Sequence, residues 1–441
     1  MSAPINLRRR RLLTGFAAGA AALTGRPLLA AAKSAPKPVV IMTAYPDDVV
    51  SRFEAAFEKA HPEYRLQVVW RMPHDALPYL RQAKQGGVDV YWSASPRIYA
   101  TLAREGAFRP LPYQTDGLPP RIGNAPLVDG EGLYHATEMA GFGYAVNAKA
   151  LADRQLPVPK TWRDLADPRY QGLIALPVPA KVGFAPPLVE IVLQAYGWDA
   201  GWALWSEIAG NAWLIERGST FVSDEVGSGR HPIGLSIDFF VASAIANGAP
   251  LQFIYPDRSG INPAHIAMTK SAGNPAGAQA FVDFVLSNAG QKILTHPDIR
   301  KLPVRPQAYE GLPKDYFNPF AAAERGVFDY DSQRAQGRLG LSTALFDQML
   351  MADHPGLVAL WQRIHQAEAQ GRTQLASSAR AILTKPPISE ADAALDSLRS
   401  PFGERLEGSS TEGRNALEAA WQAHDQARRK EVDQLLKAAN A

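Results

Sequence analysis

Cysteine is absent from all 441 residues. That excludes disulfides, thiol nucleophiles, iron–sulfur clusters and cysteine zinc sites. Burial of a large core must therefore stabilise the fold without cross-links. Several catalytic signatures are missing as well. No His-Glu-x-x-His, Gly-x-Ser-x-Gly, Walker loop or Gly-x-Gly-x-x-Gly occurs. Gly234-Leu235-Ser236-Ile237-Asp238 approaches a nucleophile elbow but lacks its final glycine, and reads as a strand with a buried serine. His354 and His365 can share a helix face, yet no carboxylate-rich signature surrounds them, so the sequence argues for no metal and no cofactor. Beyond residue 32 no run is long and apolar enough to span a membrane.

An excess of either charge is also lacking. Lysine and arginine number 46 against 43 acids, a formal net of +3. Five of those arginines, Arg8 to Arg11 and Arg26, stand in the first 32 residues, which hold no acid. The remainder carries 41 basic side chains against 43 acidic ones. The basic appearance leaves with that segment, and nucleic-acid binding is not expected. Arg428-Arg429-Lys430 reads as a solvated helix face.

The first 32 residues have the pattern of an export signal. Consecutive arginines precede the apolar run Leu12 to Leu29, and Ala30-Ala31-Ala32 offers a small-residue cleavage site. The arginines resemble the twin-arginine type, which exports folded proteins. The expected destination is the periplasm, with no membrane span once the signal is removed.

From Val39 onward strands and helices alternate. Val39-Val40-Ile41-Met42, Leu66 to Trp70 and Val88 to Trp92 read as strands. Helical spacing follows each, including a second helix from Ala76 to Lys84. This alternation predicts an α/β fold with a parallel sheet. Ligands of such sheets sit beyond the carboxyl ends of strands, which points to Thr43–Tyr45 and Ser93–Ser95. Val182-Gly183-Phe184 is expected to open a helix through Tyr196, and Ile233 to Ile237 to form a strand. After about residue 326 the pattern becomes helical. Leu345, Phe346, Met349 and Leu350 form one apolar stripe, and Leu357, Trp361 and Ile364 another. Such stripes must be buried against something. The region could brace a lobe, dock a partner or gate a cleft.

Several segments then resemble a family. Val88-Asp89-Val90-Tyr91-Trp92-Ser93-Ala94-Ser95 is similar to a strand and loop of periplasmic solute-binding proteins, in the branch of ferric-ion, thiamine, phosphonate and sugar-phosphate receptors. Pro159-Lys160-Thr161-Trp162-Arg163-Asp164-Leu165 through Gly172 resembles its Pro-Thr-Trp…Asp-Leu segment. Asn262-Pro263-Ala264, Asn274 to Ala278, Phe281 to Phe284 and Gly290-Gln291 resemble its late strand and helices. The likeness spans roughly residues 38–320. It implies a two-lobe periplasmic-binding-protein fold with hinge strands, here followed by a mostly α-helical C-terminal extension. The first lobe would be 38–138 with 264–325, the second 139–263 and the extension 326–441, after an export signal at 1–32. It also implies a small-molecule ligand clamped between lobes, an ABC permease and its ATP-hydrolysing subunit as partners, and no enzymatic chemistry.

In the ferric branch adjacent tyrosines on the second-lobe crossing strand bind iron. The corresponding stretch is Ile237-Asp238-Phe239-Phe240, which has no phenolate. What remains are hydroxyls, backbone amides and aromatics. Thr43, Ser93, Ser95, Ser219 and Thr220 lie where helices should begin, positions suited to an anion or simply to capping. Gly183 would let backbone approach a ligand, or would only ease a turn. Tyr45 and Trp92 are the favoured aromatic walls, ahead of Trp70, Phe239 and Phe240. Asp238 could fix a ligand hydroxyl or amine, or pair with a cation across the hinge. The expected ligand is a small organic or phosphorylated anion; the alternatives are a ferric or metal-chelate receptor, or an accessory protein or enzyme built on the receptor fold.

Overall fold

Two long strands organise the molecule. The computed structural model describes residues 35–111, 117–218, 220–314, 316–403 and 412–438. Residues 1–32, expected to be an export signal, and Ser219 lie outside them. Strand His135–Val146 is buried along all 12 residues. Its first half pairs antiparallel with strand Ile261–Thr269. Its second half pairs with Ile233–Ile237 and Gln252–Ile254. The two crossing strands thus join two halves of one sheet.

On the first-lobe side the order is Tyr64–Trp70, Lys37–Thr43, Val90–Ser93, then Ile261–Thr269. The outer pairs there are parallel. On the second-lobe side His135–Val146 is followed by Ile233–Ile237, Ile174–Pro177 and Ala212–Ile215. Those last three run parallel to one another. Continuous apolar runs form these strands because helices cover both faces. The predicted α/β fold with hinge strands and a helical extension is what the chain adopts.

Some element boundaries differ from the sequence expectation. The second helix spans Pro73–Leu80, not Ala76 to Lys84. Lys84 and Gln85 adopt positive φ, and the Gln85 amide instead bridges to Ala107 O (2.9 Å) and Ser271 N (3.0 Å). The helix expected from Val182 begins at Pro186, where the fixed φ of two prolines favours a helix start. Residues Asp238–Ala246 form a helix rather than continuing the strand.

The extension is packed onto the second lobe. Helices Leu339–Phe346 and His354–Ala369 lie against Pro186–Tyr196 and Trp198–Gly210. Leu345, Phe346, Met349, Leu357, Trp361 and Ile364 join the second-lobe core. A Cβ at Gly210 would fall 2.4 Å from the Trp361 ring, so only glycine lets that indole reach the helix backbone. The first lobe keeps its own core around Phe53, Trp92, Phe281 and Ile266.

The arginines of the last helix, Glu412–Ala438, overturn one expectation. Arg428 and Arg429 are 4% and 7% exposed, not a solvated face. Arg429 donates to Met349 O (2.8 Å), and Arg428 to Lys385 O (3.0 Å). Both pair with buried Asp425. They satisfy carbonyls at the ends of other extension helices, a task that the local sequence does not advertise.

Candidate functional site

A cleft of about 1090 Å³ opens between the lobes and beside the extension. Its first-lobe wall is the head of helix Pro96–Arg104, with Ser95 and Arg97, and the ring of Tyr134. Crossing-strand residues Phe142, Asn262 and His265 contribute the floor. Gly183, Phe184, Phe239 and Phe240 form the second-lobe wall. Tyr330, Ser332, Gln333 and Leu339 of the extension close one side. A neighbouring cavity of about 1130 Å³ shares Arg97, Tyr134, Gln333 and Leu339 with the cleft.

The two walls differ chemically. Ser95 occupies the N-cap of helix Pro96–Arg104, yet its side chain makes no capping bond. Its hydroxyl lies 3.4 Å from Ser93 Oγ instead. Arg97 is exposed at the same helix head. Helix dipole and guanidinium therefore favour an anion at the head of this helix, while the Asp129 carboxylate stands further along the same wall beside Tyr134. Across the cleft, helix Pro186–Tyr196 starts with two prolines, Pro186-Pro187, which have no N–H to offer an oxyanion, where the facing helix opens on the single Pro96. Helix Asp238–Ala246 carries a carboxyl at its own head. The second-lobe wall is thus aromatic, with Phe239 and Phe240 packed at 4.1 Å and Phe184 5.7 Å from Phe240.

Asp238 sits just behind Phe239 and is 6% exposed. Its Oδ2 accepts from Gly141 N (2.7 Å) and from the Tyr255 hydroxyl (2.9 Å). Burial pushes its carboxyl up to about 7, against these bonds and the Lys301 charge, which favour ionisation. A Cβ at Gly141 would lie 2.5 Å from the Tyr255 ring, so the bare backbone is what admits both partners. Its direct partners are therefore a hinge-strand amide and a tyrosine.

Other predicted residues fall elsewhere. Thr43 is fully buried and accepts from Tyr45 N (3.1 Å), closing a turn. Tyr45 is buried, and its hydroxyl donates to Glu138. Lys301 Nζ lies 2.9 Å from Glu138 Oε1 and 4.3 Å from the centre of the Tyr45 ring. Trp92 is wholly buried, packs 4.7 Å from Tyr45 and donates to Thr137 Oγ1 (3.1 Å). Ser93 is buried beneath Ser95, and its N–H donates to the Tyr99 hydroxyl (3.1 Å). Thr43, Tyr45, Trp92 and Ser93 are thus bound into the first lobe rather than lining the cleft. Buried Glu138 and Lys301, distant in sequence, hold the Tyr45 hydroxyl and ring. Thr220 is exposed at the start of helix Thr220–Gly227 and lies outside the lining, and Trp70 is 45% exposed.

Of the predicted ten, Ser95, Gly183 and Phe239 come together in the cleft, with Asp238 behind them. Arg97, Tyr134, Asn262, His265 and Gln333 went unforeseen. Arg97 had a signal, since it stands two residues past Ser95 in a first helical turn. His265 and Gln333 had none, because topology alone brings them there. Among the described residues no group of three or more histidine, aspartate or glutamate side chains gathers as a metal set.

Comparison with known proteins agrees with this architecture. Residues 88–318 match the family described as bacterial extracellular solute-binding protein. The chain is 30% identical over 318 residues to the phosphoglycerate transport regulatory protein PgtC of Salmonella typhimurium, covering 71% of this chain and 76% of that one. Its fold is similar to the periplasmic binding protein AfuA of Actinobacillus pleuropneumoniae with bound fructose-6-phosphate (TM-score 0.54, 18% identity, 68% of this chain and 96% of that one). It is similar too to iron-bound HitA of Pseudomonas aeruginosa (TM-score 0.53, 17% identity, 68% and 97%). The chain belongs to the bacterial extracellular solute-binding family, and its fold is that of the two-lobe type II binding proteins.

Proposed function

We propose that the protein is a periplasmic receptor that clamps a small phosphorylated organic anion between its lobes and performs no chemistry on it. One observation carries this: the uncapped Ser95 and exposed Arg97 at a helix head face a cleft whose opposite wall is aromatic. A phosphoryl group suits the helix head, where the helix dipole and the Arg97 guanidinium favour negative charge. The organic part suits Phe184, Phe239 and Phe240. The name of the Salmonella relative, and the sugar phosphate in the AfuA structure, support the same ligand class. The phenylalanines at 239 and 240 speak against a ferric ion, which prefers hard oxygen ligands. Export as a folded protein, an ABC permease and its ATP-hydrolysing subunit complete the proposal.

A second reading, a ligand-sensing accessory protein, is favoured by the extension. Tyr330, Ser332, Gln333 and Leu339 border the cleft, so ligand-driven closure would be felt by a region beyond the two-lobe body. The relative's description as a transport regulatory protein fits that reading.

Thermal-shift measurements on the protein lacking residues 1–32 test the ligand class. The panel is 3-phosphoglycerate, fructose 6-phosphate, a phosphonate, thiamine and Fe(III)-citrate. Ligand at ~100 times its Kd stabilises the folded state by about 2.7 kcal/mol. A phosphorylated compound is expected to raise Tm. A response to Fe(III)-citrate alone would replace this proposal by the ferric one.

A further inference from the structure

We infer that His265, through its neutral imidazole, hydrogen-bonds a hydroxyl group of the ligand and so selects hydroxylated phosphates over their deoxy analogues. The inference rests on the phosphorylated-anion proposal and adds to it the residue that reads the carbon skeleton.

Three features of the structure lead there. Strand register between Ile261–Thr269 and His135–Val146 shifts between Ala264 and His265. Such irregularities re-aim a side chain. The His265 carbonyl is held by the Tyr99 hydroxyl (2.5 Å), which pins the backbone at that point. The ring then sits between two tyrosines, 5.2 Å from Tyr99 and 5.1 Å edge-to-face with Tyr134.

His265 forms part of the cleft lining, on the same side as Ser95 and Arg97. The residue is only 4% exposed, and its Nδ1 is buried without a hydrogen-bond partner. A buried polar atom left unpaired costs about 1–3 kcal/mol, so a native structure retains one where something else completes it. The buried Tyr91 hydroxyl, on the neighbouring strand, lies beside the Ser93 and Ser95 hydroxyls. Tyr91 pairs with Ala267 and Ser93 with His265 across these two strands, which sets His265 next to the polar patch of Ser93 and Ser95. No other part of the cleft lining combines burial with missing partners in this way among the described residues.

Charge decides what the ring can recognise. Burial, with His135 nearby, holds the imidazole down to about 3. It is neutral at physiological pH and cannot balance a carboxylate or phosphate. Arg97 is placed for that. A neutral donor–acceptor ring between aromatic faces suits a neutral hydroxyl. Loss of that hydroxyl leaves the imidazole unpaired again, and this is how a buried polar site rejects an analogue.

A ligand–mutant cycle measures the pairing. The protein lacking residues 1–32, and its His265→Ala and His265→Gln variants, are titrated calorimetrically with 3-phosphoglycerate and with 3-(phosphonooxy)propanoate, the same phosphate ester without the 2-hydroxyl. Wild type is expected to bind the hydroxylated compound about tenfold more tightly, the scale of one buried hydrogen bond. His265→Ala should bind 3-phosphoglycerate about tenfold more weakly and no longer distinguish the two. His265→Gln, which keeps donor and acceptor, should retain part of the preference and stands in if the alanine variant does not fold. Unchanged discrimination in the variants overturns the role of His265 and leaves the phosphate proposal intact. A wild type that binds both compounds equally, or neither, overturns the role of His265; the phosphate proposal falls only if the other phosphorylated compounds of the thermal-shift panel fail as well.

Discussion

At the residue scale, the site rests on one exposed cation and one buried acid. Arg97 supplies charge where the helix head already favours an anion. Charge-assisted hydrogen bonds contribute about 1.5–3 kcal/mol. Arg97→Ala should therefore weaken 3-phosphoglycerate binding by about 10- to 100-fold in calorimetry. Equal affinity would remove Arg97 from the site. Asp238 makes a different prediction. Its folded-state carboxyl is raised from 3.8 to about 7 by burial, with Lys301, Tyr255, Tyr309 and Tyr316 as the titratable groups that act on it or feel it. The folded protein holds a proton that the unfolded chain has released. Stability from this group is present below about pH 4 and lost as pH rises towards about 7. Relative to Asp238→Asn, wild-type Tm should fall across that window and run parallel above it. Parallel curves throughout would show that the carboxyl is not raised.

At the element scale, the extension behaves as part of the second lobe. Its helix Leu339–Phe346 is tied to Pro186–Tyr196 by a buried ion pair, Arg338 Nε to Glu190 Oε2 at 2.8 Å. The Ser342 hydroxyl also donates to Glu190, which is fully buried. Such a pair stabilises little in itself, because desolvation offsets attraction, but losing one partner strands the other. Arg338→Met should cost about 3–5 kcal/mol in urea unfolding, and the further change Glu190→Leu should recover most of it. An additive double variant would show that the two side chains act independently.

This scale also shows what was legible. The strand Val39 to Met42, the stripes at Leu345 and Leu357, and the crossing-strand architecture could be read because hydrophobic period and motif order are local properties. Site residues were harder. Tyr45 and Trp92 stand near strand ends, as expected of cleft walls, but Glu138 and Lys301 turn that corner into a buried network. Arg428 and Arg429 looked solvated because their carbonyl partners come from distant helices. His265 owes its position to a strand irregularity that no spacing rule reveals. Sequence patterns locate faces and termini, whereas partners from far along the chain decide which polar groups are already satisfied.

At the scale of the whole molecule, the lobes divide the work of recognition. The first offers a helix head and a guanidinium, the second an aromatic wall, and the extension a border of Tyr330, Ser332 and Gln333. Hinge motion about the two crossing strands would bring these walls onto one ligand. The central claim is that the phosphoryl group, not the organic part alone, anchors that ligand. Calorimetric titration with 3-phosphoglycerate and with glycerate tests it most directly. The account predicts 1:1 binding of the phosphorylated compound and at least about 100-fold weaker binding of glycerate, the difference expected when a charged group loses its hydrogen-bonding partner. Equal affinity for the two, or binding of neither, would contradict it.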